Sequence, residues 1–265
     1  MNSKIRLANK YLKYYFNASN AKGHGIHSPF VFNFIRLVLN DRNLYPEYRK
    51  VELLRHSLSH NHFELKVDDL GAGSLLASFE RRTIAQIATS AAKPRKYAQL
   101  LYRMAHYYHP DIMLELGTSL GISSAYLALG NPAGKLITIE GAKQVSNIAT
   151  DIFKQLNLNN IEALVGNFDD VLPDLLSRLP AVDLVFIDGN HRKEPTLKYF
   201  NLLLPKVTGS SIIIVDDINW SSEMEEAWKA IKEHPSVHMT IDLFFMGLVF
   251  FKDEFKIKQH FSIRY

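Results

Sequence analysis

Three carboxylates and a histidine stand at the ends of two apolar runs. Asp188 closes "LVFID", and Asp216 with Asp217 closes "IIIVDD" 28 residues further on. Runs this apolar read as strands covered on both faces, as in a parallel sheet. Adjacent parallel strands bring their C-terminal ends to one edge, where open α/β sheets bind ligands. Carboxylates gathered there repel one another unless a cation or a cofactor's charge compensates them. The alternative is that one of the three only caps a helix. His191 follows in "DGNHRK". Histidine titrates near neutrality and is suited to take a hydroxyl proton, though it reads also as a solvated loop residue or an acid's structural partner.

Two glycine loops compete for a nucleotide-like ligand. "MLELGTSLGISSAYLAL" (113–129) runs from a buried strand through Gly117, Ser119 and Gly121 into a helix. That is the geometry in which a tight turn presents free amides to a ligand. "VDDLGAGSLLAS" (67–78) has a lead-in, "FELKVDD", too charged for a central strand, and reads as a turn or a covering loop. The first loop has support downstream. Glu140 ends "KLITIE", 25 residues after Glu115, where a carboxylate can accept both hydroxyls of a ribose. The Gly-x-x-x-Gly spacing is not that of a pyrophosphate binder. It suits a cofactor with an amino-acid tail.

The elements that must position these residues follow from the hydrophobic pattern. Strands are expected at 112–116, 135–140, 161–166, 182–188 and 211–217, with helices between them. "GAKQVSNIATDIFKQLNL" (141–158), for example, spaces Val145, Ile148, Ile152 and Leu156 on one helical face. Near the end, 237–243 and 244–252 are almost contiguous and read as an antiparallel hairpin at the sheet's edge. The first 95 residues lack this alternation. Helices are expected at 28–40, 46–60, 78–92 and 94–109, so residues 1–94 read as a helical extension and 95–265 as the α/β domain. In "KGHGIHSPFVFNF" (22–34), Ser28 is expected to cap a helix, Pro29 to take its first position, and Phe30, Phe32 and Phe34 to pack. His24 and His27 make only a weak metal site without a nearby acid. Loops 22–34 and 67–78 are candidates for a lid.

Composition bounds the rest. With 265 residues, 47% apolar and 22% charged, the chain has the makings of an ordinary globular core. It has no cysteine, which removes disulfides and thiolate chemistry and fits a cytoplasmic setting. The stretch "FFMGLVFF" (244–251) is too short to cross a bilayer, so no membrane association is expected. The net charge of +4 hides an asymmetry: residues 1–110 hold 17 Lys+Arg against 7 Asp+Glu. Such a balance fits an anionic partner such as RNA, or simply a solvated surface.

Taken in order, "LELGTSLGISSAYLA", "ITIEGA", "GNFDDVLPDL", "LVFIDGNH" and "IIIVDDI" resemble the class I S-adenosylmethionine-dependent methyltransferases, in their catechol O-methyltransferase-like branch. The resemblance covers roughly residues 95–265. It implies a Rossmann-like, doubly wound α/β sheet of seven strands, the last antiparallel. It implies that S-adenosylmethionine lies along Glu115, Gly117, Ser119 and Gly121, with Glu140 on its ribose, Asn167 and Phe168 beside its adenine, and Asp188 near its sulfonium. In the metal-dependent members, carboxylates at the positions of Asp188, Asp216 and Asp217 hold Mg2+ or another divalent cation. His191 stands where the catechol-type enzymes place a lysine base, so His191 and Asp188 are the expected catalytic pair. The implied acceptor is a small hydroxylated molecule, with a tRNA or RNA base as the alternative and a non-catalytic cofactor-binding protein as a second. A homodimer is compatible with all of these.

Overall fold

The chain begins in one compact unit, crosses into a second and returns to the first. The computed structural model describes residues 3–19, 27–68, 79–91 and 93–265. One unit joins Met1–Asp41 to Leu179–Tyr265, and the other is Arg42–Arg178.

The first unit opens with α1 (Ser3–Asn17) and α2 (Pro29–Phe34), and α2 runs on into a wider π-helical turn over Ile35–Leu39. The start of α2 follows its expected cap: Pro29 takes the first turn, and Ser28 Oγ accepts from Val31 N at 3.4 Å. Phe34 is buried and Phe30 packs edge-on against Phe250 and Phe255. Phe32 does not join them and is 41% exposed. A residue two positions from each neighbour lies on the far side of a helix, so all three could not share one face. His24 and residues 69–78 of the second glycine loop lie outside the described residues.

The second unit contains α3 (Pro46–Ser59), β1 (Glu64–Asp68), β2 (Phe79–Thr83), α4 (Ile84–Ala91), α5 (Arg95–Tyr108) and β3 (Ile112–Leu116). It continues through α6 (Ile122–Gly130), β4 (Lys135–Glu140), α7 (Lys143–Gln155), β5 (Ile161–Val165) and α8 (Phe168–Arg178). β3, β4 and β5 run parallel, with Leu114 opposite Ile137 and Thr138 opposite Ala163. β1 and β2 form a separate antiparallel ribbon. The helix expected over 78–92 is therefore confined to its second half. The reason is legible in the chain: Thr83 Oγ1 accepts from Gln86 N at 3.1 Å while Gln86 Oε1 accepts from Thr83 N at 2.8 Å. This reciprocal capping box starts a helix where it stands, not five residues earlier. α5 lies against α6 because Gly130 has no side chain; a Cβ there would sit 2.5 Å from Tyr102 O.

The first unit resumes with β6 (Leu184–Ile187), α9 (Lys193–Leu203), β7 (Ile212–Asp216) and α10 (Ser222–Glu233). It ends with β8 (Met239–Asp242), β9 (Met246–Phe250) and β10 (Gln259–Ser262). β6 and β7 are parallel; β9 is antiparallel to both β7 and β8, as the hairpin reading expects. β10 adds a strand parallel to β8. Among the described residues this unit has five such strands and the other unit three parallel ones, eight against seven expected. The extra one, "QHFS", is short, polar and at an edge, so its composition carries no strand signal.

Gly247 in β9 faces the Trp228 indole of α10, and a Cβ there would lie 2.5 Å from Trp228 Cη2. Gly247→Ala should destabilise the protein by about 1–3 kcal/mol through overpacking. Urea unfolding checks this: the midpoint should fall at an unchanged slope.

Candidate functional site

In the second unit, three neighbouring strand ends deliver the residues expected to hold a cofactor. After β3 the chain turns through Gly117 at φ 108°, Ser119 at φ 48° and Gly121 at φ 78°. These left-handed conformations are native to glycine and unusual for serine. The loop is pinned from the neighbouring strand: Ile139 O accepts from Gly117 N (3.0 Å) and Thr118 N (3.2 Å). Gly121 also makes room for α7, since a Cβ would come within 2.5 Å of Phe153 Cε1.

Glu140, the last residue of β4, takes the amide of Ser119 on one carboxylate oxygen (2.8 Å) and that of Ala142 on the other (2.9 Å). It remains partly exposed, with its carboxylate held at the strand edge beside the glycine loop. After β5, Gly166 at φ 155° donates to Glu140 O at 3.0 Å, and Asn167 Oδ1 accepts from Asp169 N at 3.1 Å to start α8 at Phe168. Glu140, the loop 117–121, Asn167 and Phe168 therefore share one edge. Glu115 is different. Its side chain is wholly buried and accepts hydrogen bonds from Ser124 and from Thr138 Oγ1 (2.7 Å), so it supports the loop from inside the fold.

In the first unit, Asp188, His191, Asp216 and Asp217 come together where β6 and β7 end. His191 Nε2 lies 3.6 Å from Asp188 Oδ1 and 4.0 Å from Asp217 Oδ2. Asp216 is buried, and one ligand atom each from Asp188, His191 and Asp216 lies within 4.8 Å of the others. That group is the one with metal-like spacing among the described residues; Asp217 borders it through His191. The chain reverses at Asn190 (φ 52°) and at Asp217 (φ 53°). Asn and Asp tolerate that region better than most residues. Asn190 Nδ2 donates to Tyr199 OH at 2.7 Å, which ties the His191 loop to α9.

Sequence reasoning missed the hydroxyls beneath these residues. Thr138 sits between Glu115 and Thr118, whose Oγ1 is 2.6 Å from its own. Ser124 lies in the first turn of α6. A polar residue inside an apolar strand was the available signal. It also passed over Asp242, which ends β8 and accepts from Phe244 N at 2.7 Å. Burial raises the pKa of its carboxyl.

Residues 114–218 match the family described as "Methyltransferase domain". The human "Transmembrane O-methyltransferase" is 31% identical over 110 residues, which are 40% of this chain and 37% of that protein. The chain spans less than two thirds of the length of the curated relatives it matches. Among solved structures, an SAH-bound methyltransferase from Podospora anserina superposes with a TM-score of 0.60 at 13% identity, covering 85% of this chain and 97% of that one. The O-methyltransferase TomG of Streptomyces achromogenes, in complex with SAM, gives 0.54 at 22% identity over 61% of this chain and 82% of its own. The family match spans the glycine loop, Glu140 and the acidic strand ends, and over most of its length the chain shares the fold of solved methyltransferases.

Proposed function

We propose that this chain is an S-adenosylmethionine-dependent O-methyltransferase acting on a small hydroxylated acceptor. The observation that carries the reading is Glu140, held by two amides at the end of β4 with one of them belonging to the glycine loop. A carboxylate fixed in this way is an acceptor for vicinal sugar hydroxyls. The loop's φ values allow close backbone approach, with Gly117 and Gly121 offering no side chain in the way. Asn167 and Phe168 lie on the same edge and suit the base end of the cofactor, and Asp188 its cationic centre. When bound, S-adenosylmethionine supplies a methyl group on a positively charged sulfur.

His191 takes the acceptor's hydroxyl proton, and Nε2 is the atom for it. A proton gained there sits beside the carboxylates of Asp188 and Asp217. The buried Asp216 beside them brings an oxygen-rich donor set that fits a divalent cation such as Mg2+ or Mn2+. Asp188 and Asp216 would hold it, with Asp217 or His191 completing the set. A cation there lowers the pKa of a coordinated hydroxyl. His191 cannot serve at once as ligand and base through the same nitrogen, so the two roles are distinguishable.

Titration calorimetry with S-adenosylhomocysteine should give binding in the micromolar range. Glu140→Ala should weaken it about tenfold or more, because charge-assisted hydrogen bonds are lost. Unchanged affinity would place the cofactor elsewhere. For the acidic cluster, His191→Ala should lower kcat by about 10²–10⁴ with a catechol-type acceptor while leaving S-adenosylhomocysteine affinity intact. Added Mn2+ should raise the melting temperature of the wild type but not that of Asp216→Asn. A shift retained in that variant would remove the metal assignment.

A further inference from the structure

Helix α1 shows two opposite faces, and among the described residues only one of them has a partner. On the inner face, Tyr11 and Tyr14 pack on Phe244 at ring separations of 5.0 and 5.2 Å, and Ala18 is buried. Tyr14 OH donates to Ile263 O, and Lys10 pairs with Glu225. On the outer face stand Ile5, Leu12 and Phe16, exposed by 53%, 52% and 75%. At 3.6 residues per turn, positions 5, 12 and 16 fall within about 40° of one another and point away from 7, 11, 14 and 18. With the exposed Asn9 among them, they form a mainly apolar line about 16 Å long. Arg6 and Lys13 flank it, both exposed and without an ion-pair partner among the described residues. Tyr15 borders the other side, with the Arg264 guanidinium 4.8 Å above its ring.

We propose that this face docks on an anionic lipid bilayer, with α1 lying flat at the headgroup boundary. An exposed apolar line beside cations, with a tyrosine at its margin, is the arrangement by which interfacial helices bind. Ile5, Leu12 and Phe16 enter the acyl boundary, while Arg6 and Lys13 meet lipid phosphates. The inner contacts with Phe244, Ile263 and Glu225 fix the helix to its unit, so docking needs no rearrangement of α1.

Two other occupants fit less well. A second copy of the chain would need about 800 Å² on each side for a stable interface, which three side chains do not provide. In an antiparallel two-fold pairing of α1, Arg6 of one copy would also come near Lys13 of the other, like charge beside like. A nucleic acid would use the cations and stack on Phe16, but Ile5 and Leu12 offer it nothing.

The test is vesicle co-sedimentation of the full chain with phosphatidylcholine vesicles, with and without phosphatidylserine. The wild type should pellet with the phosphatidylserine vesicles, and less so as salt rises to about 0.5 M. Leu12→Asp with Phe16→Asp should weaken binding at least tenfold. Arg6→Ala with Lys13→Ala should weaken it about thirtyfold on anionic vesicles only. Circular dichroism and an unchanged melting temperature establish that each variant is folded. Wild-type protein left in the supernatant at low salt overturns the proposal, as does binding that both double variants retain. Sedimentation velocity covers the remaining case: a dimer split by Leu12→Asp, without vesicle binding, would assign the face to a second copy.

Discussion

The glycine-loop edge of the second unit depends on one buried carboxylate. Glu115 has no solvent exposure, and an ionised group in that position is costly unless it is hydrogen-bonded. Ser124 and Thr138 supply those bonds, and Glu115 lies near the start of α6, where the helix dipole favours negative charge. Through Thr138 the set extends to Thr118, so one polar knot joins β3, β4, the glycine loop and the helix that follows. The backbone of Ile139 and the side chain of Glu140 then hold the loop from the strand beside it. A loop tethered from below and from the side is preorganised. It need not be ordered by the ligand, so less binding energy is lost on approach.

The two units divide the chemistry. The second carries the fixed, amide-rich edge suited to a nucleoside and an amino-acid tail. The first carries the ionisable cluster of Asp188, His191, Asp216 and Asp217. Each edge relies on non-glycine residues in left-handed conformations directly after a strand: Ser119 in one, Asn190 and Asp217 in the other. Such conformations persist only when surrounding contacts impose them, and they concentrate where a side chain must be aimed. The bond from Asn190 to Tyr199 is one such contact.

Much of this was legible in the chain, for a physical reason. Parallel strands buried on both faces read as unbroken apolar runs, and a residue that ends such a run lies at the ligand edge. That logic located β3 to β7, Glu140, Asp188 and Asp216 with little error. It worked least well where the signal is side-chain hydrogen bonding. The capping box at Thr83 and Gln86 was present as a spacing, yet the apolar periodicity downstream of it extended the expected helix over Phe79–Arg82. The roles of Thr118, Ser124 and Thr138 could not be read because a hydroxyl's partner is set by tertiary packing. β10 is polar and short, and only its pairing with β8 makes it a strand.

The interleaving of the units sets the order in which the molecule can be completed. Arg42–Arg178 leaves the ribosome as an unbroken stretch with all its strands and helices, so its contacts are available early. The first unit waits for Leu179–Tyr265. Ser19 pairs with Ile263, Ser19 N donates to Ser262 O at 2.8 Å, and Arg264 N donates to Ser19 O at 3.1 Å. These are contacts of extreme sequence separation, and forming them closes nearly the whole chain into a loop. Until Phe244 and Ile263 emerge, Tyr11 and Tyr14 on the inner face of α1 lack their partners. Until then the inner face of α1 is open to misassociation.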